Sequence, residues 1–92
     1  MSEYIEIDSE ITDNPAVMHI YTNLPLALDE LEVYHSVAEM EEGSAVSQAL
    51  SFIDGIEQLE INHQQLTITR DLDVPMHIIV AEVTAVLKDF FL

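Results

Sequence analysis

The sequence predicts an α+β fold of order β-β-β-α-β-β-α: a small, mainly antiparallel or mixed sheet with two helices packed on one face. Three observations predict it. Apolar residues alternate with polar ones in several short stretches and recur at helical spacing in two others. The connections between these stretches are short and carry turn-forming residues. Of 92 residues, 49% are apolar, and Gly and Pro together number five, which suits a packed core and not a disordered or loop-rich chain. The length predicts one domain, residues 1–92.

Tyr4–Asp8 alternates, with Ile5 and Ile7 opposite Tyr4, Glu6 and Asp8, and predicts a half-buried strand. Ser9–Ala16 holds Thr12, Asp13, Asn14 and Pro15 in a row and predicts a turn, because Asn and Asp bond nearby backbone and Pro fixes φ. Val17–Thr22 predicts a second strand with Met18 and Ile20 on one side. Asn23–Glu30, broken by Pro25, reads as a connection. Leu31–Val37 predicts a third strand with Leu31, Val33, His35 and Val37 on one face. Between Ser44 and Asp54 the spacing becomes helical: Val46, Ala49, Leu50 and Ile53 share a face, Ser44 suits the N-cap, and Gly55 stands where a left-handed helix end is expected. Glu57–Ile61 and Leu66–Thr69 predict a hairpin, with Asn62 the turn residue best suited to positive φ. Asp73 then caps a last helix with Pro75 in its first turn, and Met76, Ile79, Val80, Val83, Leu87, Phe90 and Phe91 form its apolar stripe.

Charge and composition exclude whole classes of function. The chain has 18 acids against two bases, Arg70 and Lys88, for a net charge of −16. Phosphate recognition needs Lys and Arg, so nucleic acid and anionic membrane surfaces are excluded as direct partners. The acidity fits a solvated, self-repelling surface, a protein partner with a basic face, or adaptation to salt. Ten Ile residues weigh against the last. With no cysteine there is no thiolate nucleophile, no Cys zinc site and no ordinary iron–sulfur ligand. The acidic start, Met1-Ser2-Glu3-Tyr4, lacks a basic region and an apolar core segment, which predicts no targeting peptide and a cytoplasmic location. No apolar run is long enough to cross a bilayer.

Catalytic and metal centres are not expected. His19, His35, His63 and His77 never stand at i, i+3 or i+4, and none lies in a ligand motif. Acid pairs such as Glu41/Glu42 and Asp71/Asp73 follow from 18 acids in a short chain, and acid/base chemistry needs a pocket that separates two pKa values. Asp71 and Asp73 suit a helix start. Gly43 and Gly55 do not make a phosphate loop, and no nucleophile elbow exists. The segment Glu39-Met40-Glu41-Glu42 reads as a solvated acidic loop or the edge of a binding surface.

Two stretches resemble the N-terminal domain of the Nfu/NifU scaffold proteins. In Glu10–Tyr21, residues Thr12, Asn14 and Pro15 match that family's opening Thr-x-Asn-Pro turn before a strand. From Ser44 to Phe91, Ile53-Asp54-Gly55-Ile56, Leu66-Thr67-Ile68-Thr69-Arg70 and the closing Asp89-Phe90-Phe91 are similar to family segments in the same order. The chain departs from the family in having Gln65 in place of an aromatic residue, in lacking a Pro near Ala45, and in lacking a Trp at the start of the last helix. Full-length members also carry a separate Cys-x-x-Cys domain that binds the cluster; this sequence closes at Leu92, so cluster ligation is not carried over. Ile53–Asp73 also resembles part of a ferredoxin-like metal-associated domain, without that family's paired cysteines. The Nfu/NifU resemblance implies a non-catalytic, stand-alone interaction module associated with iron–sulfur cluster assembly or delivery, without a cofactor. The alternative is an acidic adaptor of the same fold unrelated to clusters. Candidate partner-binding residues are Asn14 in the first turn, Glu41 and Glu42 in the acidic segment, and His63 and Gln65 at the hairpin.

Overall fold

The structure, a computed structural model, describes residues 5–27 and 31–91. The expected start of the first strand at Tyr4 and the expected end of the connection at Glu30 lie outside the described residues. Among the described residues five strands form one antiparallel sheet in the order β1-β2-β5-β4-β3: β1 (Ile7–Ile11), β2 (Val17–Thr22), β3 (Glu32–Tyr34), β4 (Ile56–Asn62) and β5 (Gln65–Arg70). Three helices among the same residues, α1 (Val37–Glu41), α2 (Ala45–Leu50) and α3 (Met76–Phe91), cover one face. The α+β architecture with an open antiparallel sheet and helices on one side is the one the alternation predicts, with one helix more.

The first strand lies further along the chain than expected. It pairs with β2 as far as Ile11↔Met18, so Ser9–Ile11 belong to the strand and the turn narrows to residues 12–16. Side chains hold that turn. The Thr12 hydroxyl accepts from the Asn14 N–H at 3.1 Å, Asn14 Oδ1 accepts from Ala16 N–H at 2.9 Å, and Val17 N–H returns to the Asn14 carbonyl at 3.0 Å. β2 matches its expected span, with Met18 and Ile20 wholly buried.

The third strand is corrected in length and in face. It stops at Tyr34, and Leu31 and Val33 are 52% and 45% exposed instead of forming a core row. The register decides this: Glu32↔Ile61 and Tyr34↔Leu59 share the covered side, while Val33 stands beside Glu60 on the other. Tyr34 packs against the core and its hydroxyl accepts from Ser44 N–H at 3.2 Å, a contact the Leu/Val/His/Val spacing does not reveal. A Cβ on Gly43 would overlap this ring and the Ser47 hydroxyl, so glycine makes room for Tyr34. Residues read as a strand end and a solvated loop form α1. Ser36 is its N-cap, accepting from Glu39 N–H at 3.2 Å, while Glu39 Oε1 accepts from His35 N–H at 3.0 Å. This Ser-x-x-Glu reciprocity is close to a capping box. Met40, assigned to the loop, is fully buried.

Ser44 caps α2 as expected, accepting from Ser47 N–H, but the helix ends at Leu50 and not at Asp54. Ile53 still reaches the core from the turn that follows. Gly55 has φ +100°, so the expected positive angle is present, but it serves the turn into β4 and does not cap α2. Its carbonyl accepts from Asp71 N–H at 2.8 Å, and a Cβ there would lie 2.9 Å from the Val74 side chain. An irregularity between Ile56 and Gln58 brings both Ile56 and Leu59 onto the covered face despite their odd spacing. In the β4–β5 turn the positive φ falls on His63 (56°), not on Asn62, which pairs with Gln65 as the last residue of β4. The register decides it: Asn62↔Gln65 closes the ladder and leaves His63-Gln64 as a two-residue loop, whose first residue takes the positive φ, while the His63 carbonyl accepts from both Leu26 and Ala27 N–H and docks the hairpin tip on the preceding connection.

α3 begins at Met76, and the Pro75 carbonyl accepts its first N–H bonds from Ile78 and Ile79. Asp71 Oδ1 accepts from Asp73 N–H in the turn ahead of the helix, a bond that caps no helical N–H, and Pro75, whose carbonyl starts α3, stands where Asp73 was expected as the cap. Ile79, Val83 and Leu87 are buried, flanked by Met76, Val80, Val86 and Phe91, while Phe90 stays 43% exposed at the helix end. Arg70 ties this region together, its guanidinium donating to the carbonyls of Pro15 and Val74 at 2.9 and 3.0 Å.

Candidate protein-interaction surface

The helices cover only one face of the sheet, so the other follows from the same alternation read in antiphase. Register places Val17, His19 and Tyr21 of β2 beside Thr69, Thr67 and Gln65 of β5. It places Thr69, Thr67 and Gln65 beside Gln58, Glu60 and Asn62 of β4. Glu10 and Asp8 of β1 stand beside His19 and Tyr21, and Val33 of β3 beside Glu60. One row, Glu10–His19–Thr67–Glu60–Val33, therefore crosses all five strands. His19 Nδ1 lies 3.1 Å from the Thr67 hydroxyl and 3.2 Å from Gln65 Nε2. The His19 and Tyr21 rings lie 6.1 Å apart.

Described residues line two shallow recesses on this face. One of about 250 Å³ is lined by Glu6, Asp8, Tyr21 and Gln64 among others, and one of about 200 Å³ by Val33, His35, Glu60, Thr67 and Thr69 among others. Among the described residues no three His, Asp or Glu side chains converge as they would on a metal ion, and no buried side-chain polar atom lacks a partner. Buried Ser47 is satisfied by the carbonyls of Met40 and Ser44, each 2.9 Å away. The arrangement offers acids, amides, hydroxyls and two rings to a surface, which suits recognition.

The five expected partner-binding residues are not drawn together. Asn14 lies at the β1–β2 turn with its side chain and backbone spent on that turn. His63 and Gln65 lie at the opposite end of the sheet, and Gln65 alone joins the open face beside His19. Glu41 and Glu42 are exposed at the end of α1, on the covered side. Sequence reasoning missed the row through His19, Thr67 and Glu60. The antiphase of each strand gave its members, but their adjacency depends on β2 pairing with β5, which no local pattern states.

Two apolar features lie elsewhere. Phe52 (86% exposed) and Phe90 line a recess of about 350 Å³ with Ala49, Val86 and Asp89. At the other flank of α3, a groove of about 500 Å³ is lined by Ser9, Met76, His77, Val80 and Ala81. Among the described residues no helix is long and apolar enough to cross a membrane.

No family model and no curated protein matches the chain. Solved structures do. The chain is similar to a NifU-like protein from Saccharomyces cerevisiae, with a TM-score of 0.75 at 22% identity over 97% of this chain and 82% of that one. It is also similar to a Staphylococcus aureus protein, with a TM-score of 0.71 at 16% identity over 89% and 98% of the two chains. A Staphylococcus epidermidis protein gives a TM-score of 0.61 at 14% identity over 92% and 98%. These likenesses establish the fold.

Proposed function

We propose that this chain is a non-catalytic protein-interaction module that serves iron–sulfur cluster assembly or delivery and holds no cluster itself. The observation that carries the reading is the agreement of nearly the whole chain with the structure of a NifU-like protein. The resemblance of Thr12-x-Asn14-Pro15, Ile53-Asp54-Gly55-Ile56 and Leu66–Arg70 to the Nfu/NifU N-terminal domain supports it from the sequence side. The role without a cluster is supported by a sequence with no cysteine, since thiolates are the ordinary ligands. An open, acidic and polar sheet face supports recognition of a protein with a basic surface.

Affinity capture from the native host at low salt, with the bound proteins identified, tests the reading. Enrichment of iron–sulfur assembly proteins or their clients is the expected result. Partners with no tie to iron–sulfur proteins would overturn it in favour of an acidic adaptor of the same fold. Anaerobic incubation of the purified chain with iron and sulfide should leave the visible spectrum flat after desalting, and bound iron and sulfide in stoichiometric amounts would refute the role without a cluster.

A further inference from the structure

β1 is an edge strand, and the direction of its backbone follows from the hydrogen bonds of its neighbour. Thr22 N–H donates to Gln64 O on the β5 side, so Met18, Ile20 and Thr22 turn their backbone groups toward β5, and His19 and Tyr21 toward β1. The partners of His19 and Tyr21, Glu10 and Asp8, therefore bond inward, and the Glu6 carbonyl continues the pattern by accepting from Asn23 N–H. Ile7, Ser9 and Ile11 alternate with them. Their N–H and C=O groups point away from the sheet, with no partner among the described residues.

The side chains divide in the same way. Asp8 and Glu10 project onto the open face. Ile7, Ser9 and Ile11 project onto the covered face, where Ile11 is 73% exposed and Ser9 opens on the apolar groove beside Met76, Val80 and Ala81. The sheet thus stops one strand short of the width that would cover this flank of α3.

From this geometry we infer that β1 accepts an extended segment of a partner protein as a sixth strand, one that alternates apolar residues with Lys or Arg. Its apolar residues fill the groove over Met76, Val80 and Ala81, and its bases stand beside Asp8 and Glu10 as cross-strand pairs. A second copy of this chain is the wrong occupant. Pairing two β1 strands would set Asp8 and Glu10 against each other across two molecules of net charge −16. Charges on an edge strand guard it against its own kind, and here they do so while admitting the opposite sign. The inference rests on the reading of the chain as a protein-binding module and is independent of whether that partner serves iron–sulfur clusters.

The probe is a short end-capped peptide of alternating valine and lysine, followed by amide NMR at low salt. Two controls accompany it: a peptide of the same composition with the valines and lysines segregated, and one alternating valine and glutamate. The alternating valine–lysine peptide should shift Ile7–Ile11 and Met76–Ala81 and slow hydrogen exchange at Ile7, Ser9 and Ile11. The segregated peptide should bind about tenfold more weakly or worse, and the glutamate peptide not detectably. Equal binding of the segregated peptide, or shifts centred on Phe52 and Phe90, would overturn the proposal, as would dimerisation of the free protein through β1. Ser9→Pro removes one outward N–H without touching the pairing to β2, a place where an edge strand tolerates proline, and should abolish binding. Unaltered binding by Ser9→Pro would refute strand addition. The exposed double variant Asp8→Lys/Glu10→Lys tests the same point if proline unfolds the chain: it should prefer the glutamate peptide, and an unchanged preference would overturn the charge pairing. A negative titration removes the β1 site and leaves the cluster-related reading to partner identification, so the two can fail separately.

Discussion

The two faces of the one sheet are built from the same strands and do opposite things. On the covered face Met18, Ile20, Leu59, Ile61, Leu66 and Ile68 are all but removed from water, and Ile79, Val83 and Leu87 of α3 meet them. Each such side chain contributes about 1.5–3 kcal/mol by burial. On the open face the residues between them in sequence, among them His19, Tyr21, Glu60, Thr67 and Thr69, keep water contact and bury little apolar area. The stability of the fold therefore resides in one phase of the alternation, and the other phase is left free for the recognition proposed above.

The largest test of this division is a charge in the covered layer. Val83→Asp places a carboxylate with no partner against the sheet and should cost about 4 kcal/mol or more, enough to unfold a chain of this size. His77→Ala, on the exposed side of the same helix, should be nearly silent in the same denaturant melts. A large loss from His77→Ala would show that the wet flank of α3 contributes to the core. The boundary between the layers is tested by Gly55→Ala. The new Cβ would press on Val74 at a φ of +100°, so a loss of about 1–3 kcal/mol is expected, and a neutral result in urea melts would mean that the turn relaxes freely. Ser36→Ala should cost about 1 kcal/mol and lower helical ellipticity, because it removes the cap of a five-residue helix whose Met40 is fully buried. An unchanged melt would mean that α1 is held by packing alone.

What the sequence made legible follows from the range of the interactions. β2, the β4–β5 hairpin, the Ser44 cap and the α3 stripe were readable because each is set within a turn or two of chain: alternation, a capping hydroxyl, an i/i+4 row. β3 and α1 were misread because Leu31, Val33, His35 and Val37 alternate as a strand would, while the residues that reach the core are Tyr34 and Met40. The local signal that could have corrected this was Ser36-x-x-Glu39, which competed with the alternation and won. Asn62 gave way to His63 at the turn because the pairing of Asn62 with Gln65 sets where the two-residue loop begins, and composition alone does not state that register. The candidate surface was half legible. Its residues could be listed strand by strand, but the row from Glu10 to Val33 exists only once the order β1-β2-β5-β4-β3 is known.

The smallest expected effect tests the open face directly. Glu60 stands fourth of five in the row, between Thr67 and Val33. If that face contributes little to folding, Glu60→Lys should cost less than about 0.5 kcal/mol through lost packing. It also moves the net charge from −16 to −14 (−16 + 2) and so relieves self-repulsion. At ~0.01 M salt, where charges act over ~30 Å, the variant should be as stable as the wild type or slightly more so. At ~0.15 M the reach falls to ~8 Å, the wild type should itself gain stability, and the difference should narrow. Reversal at Glu41 and Glu42 should have the same sign. They lie at the C-terminal end of α1, where negative charge opposes the helix dipole, and a few tenths of a kcal/mol is expected for each. Thermal melts of the three proteins across that salt range separate the two causes. Convergence with salt assigns the effect to charge. A loss of more than about 1 kcal/mol in Glu60→Lys that persists at high salt would mean that the open face holds the fold together, and the division between a stabilising face and a recognition face would fail.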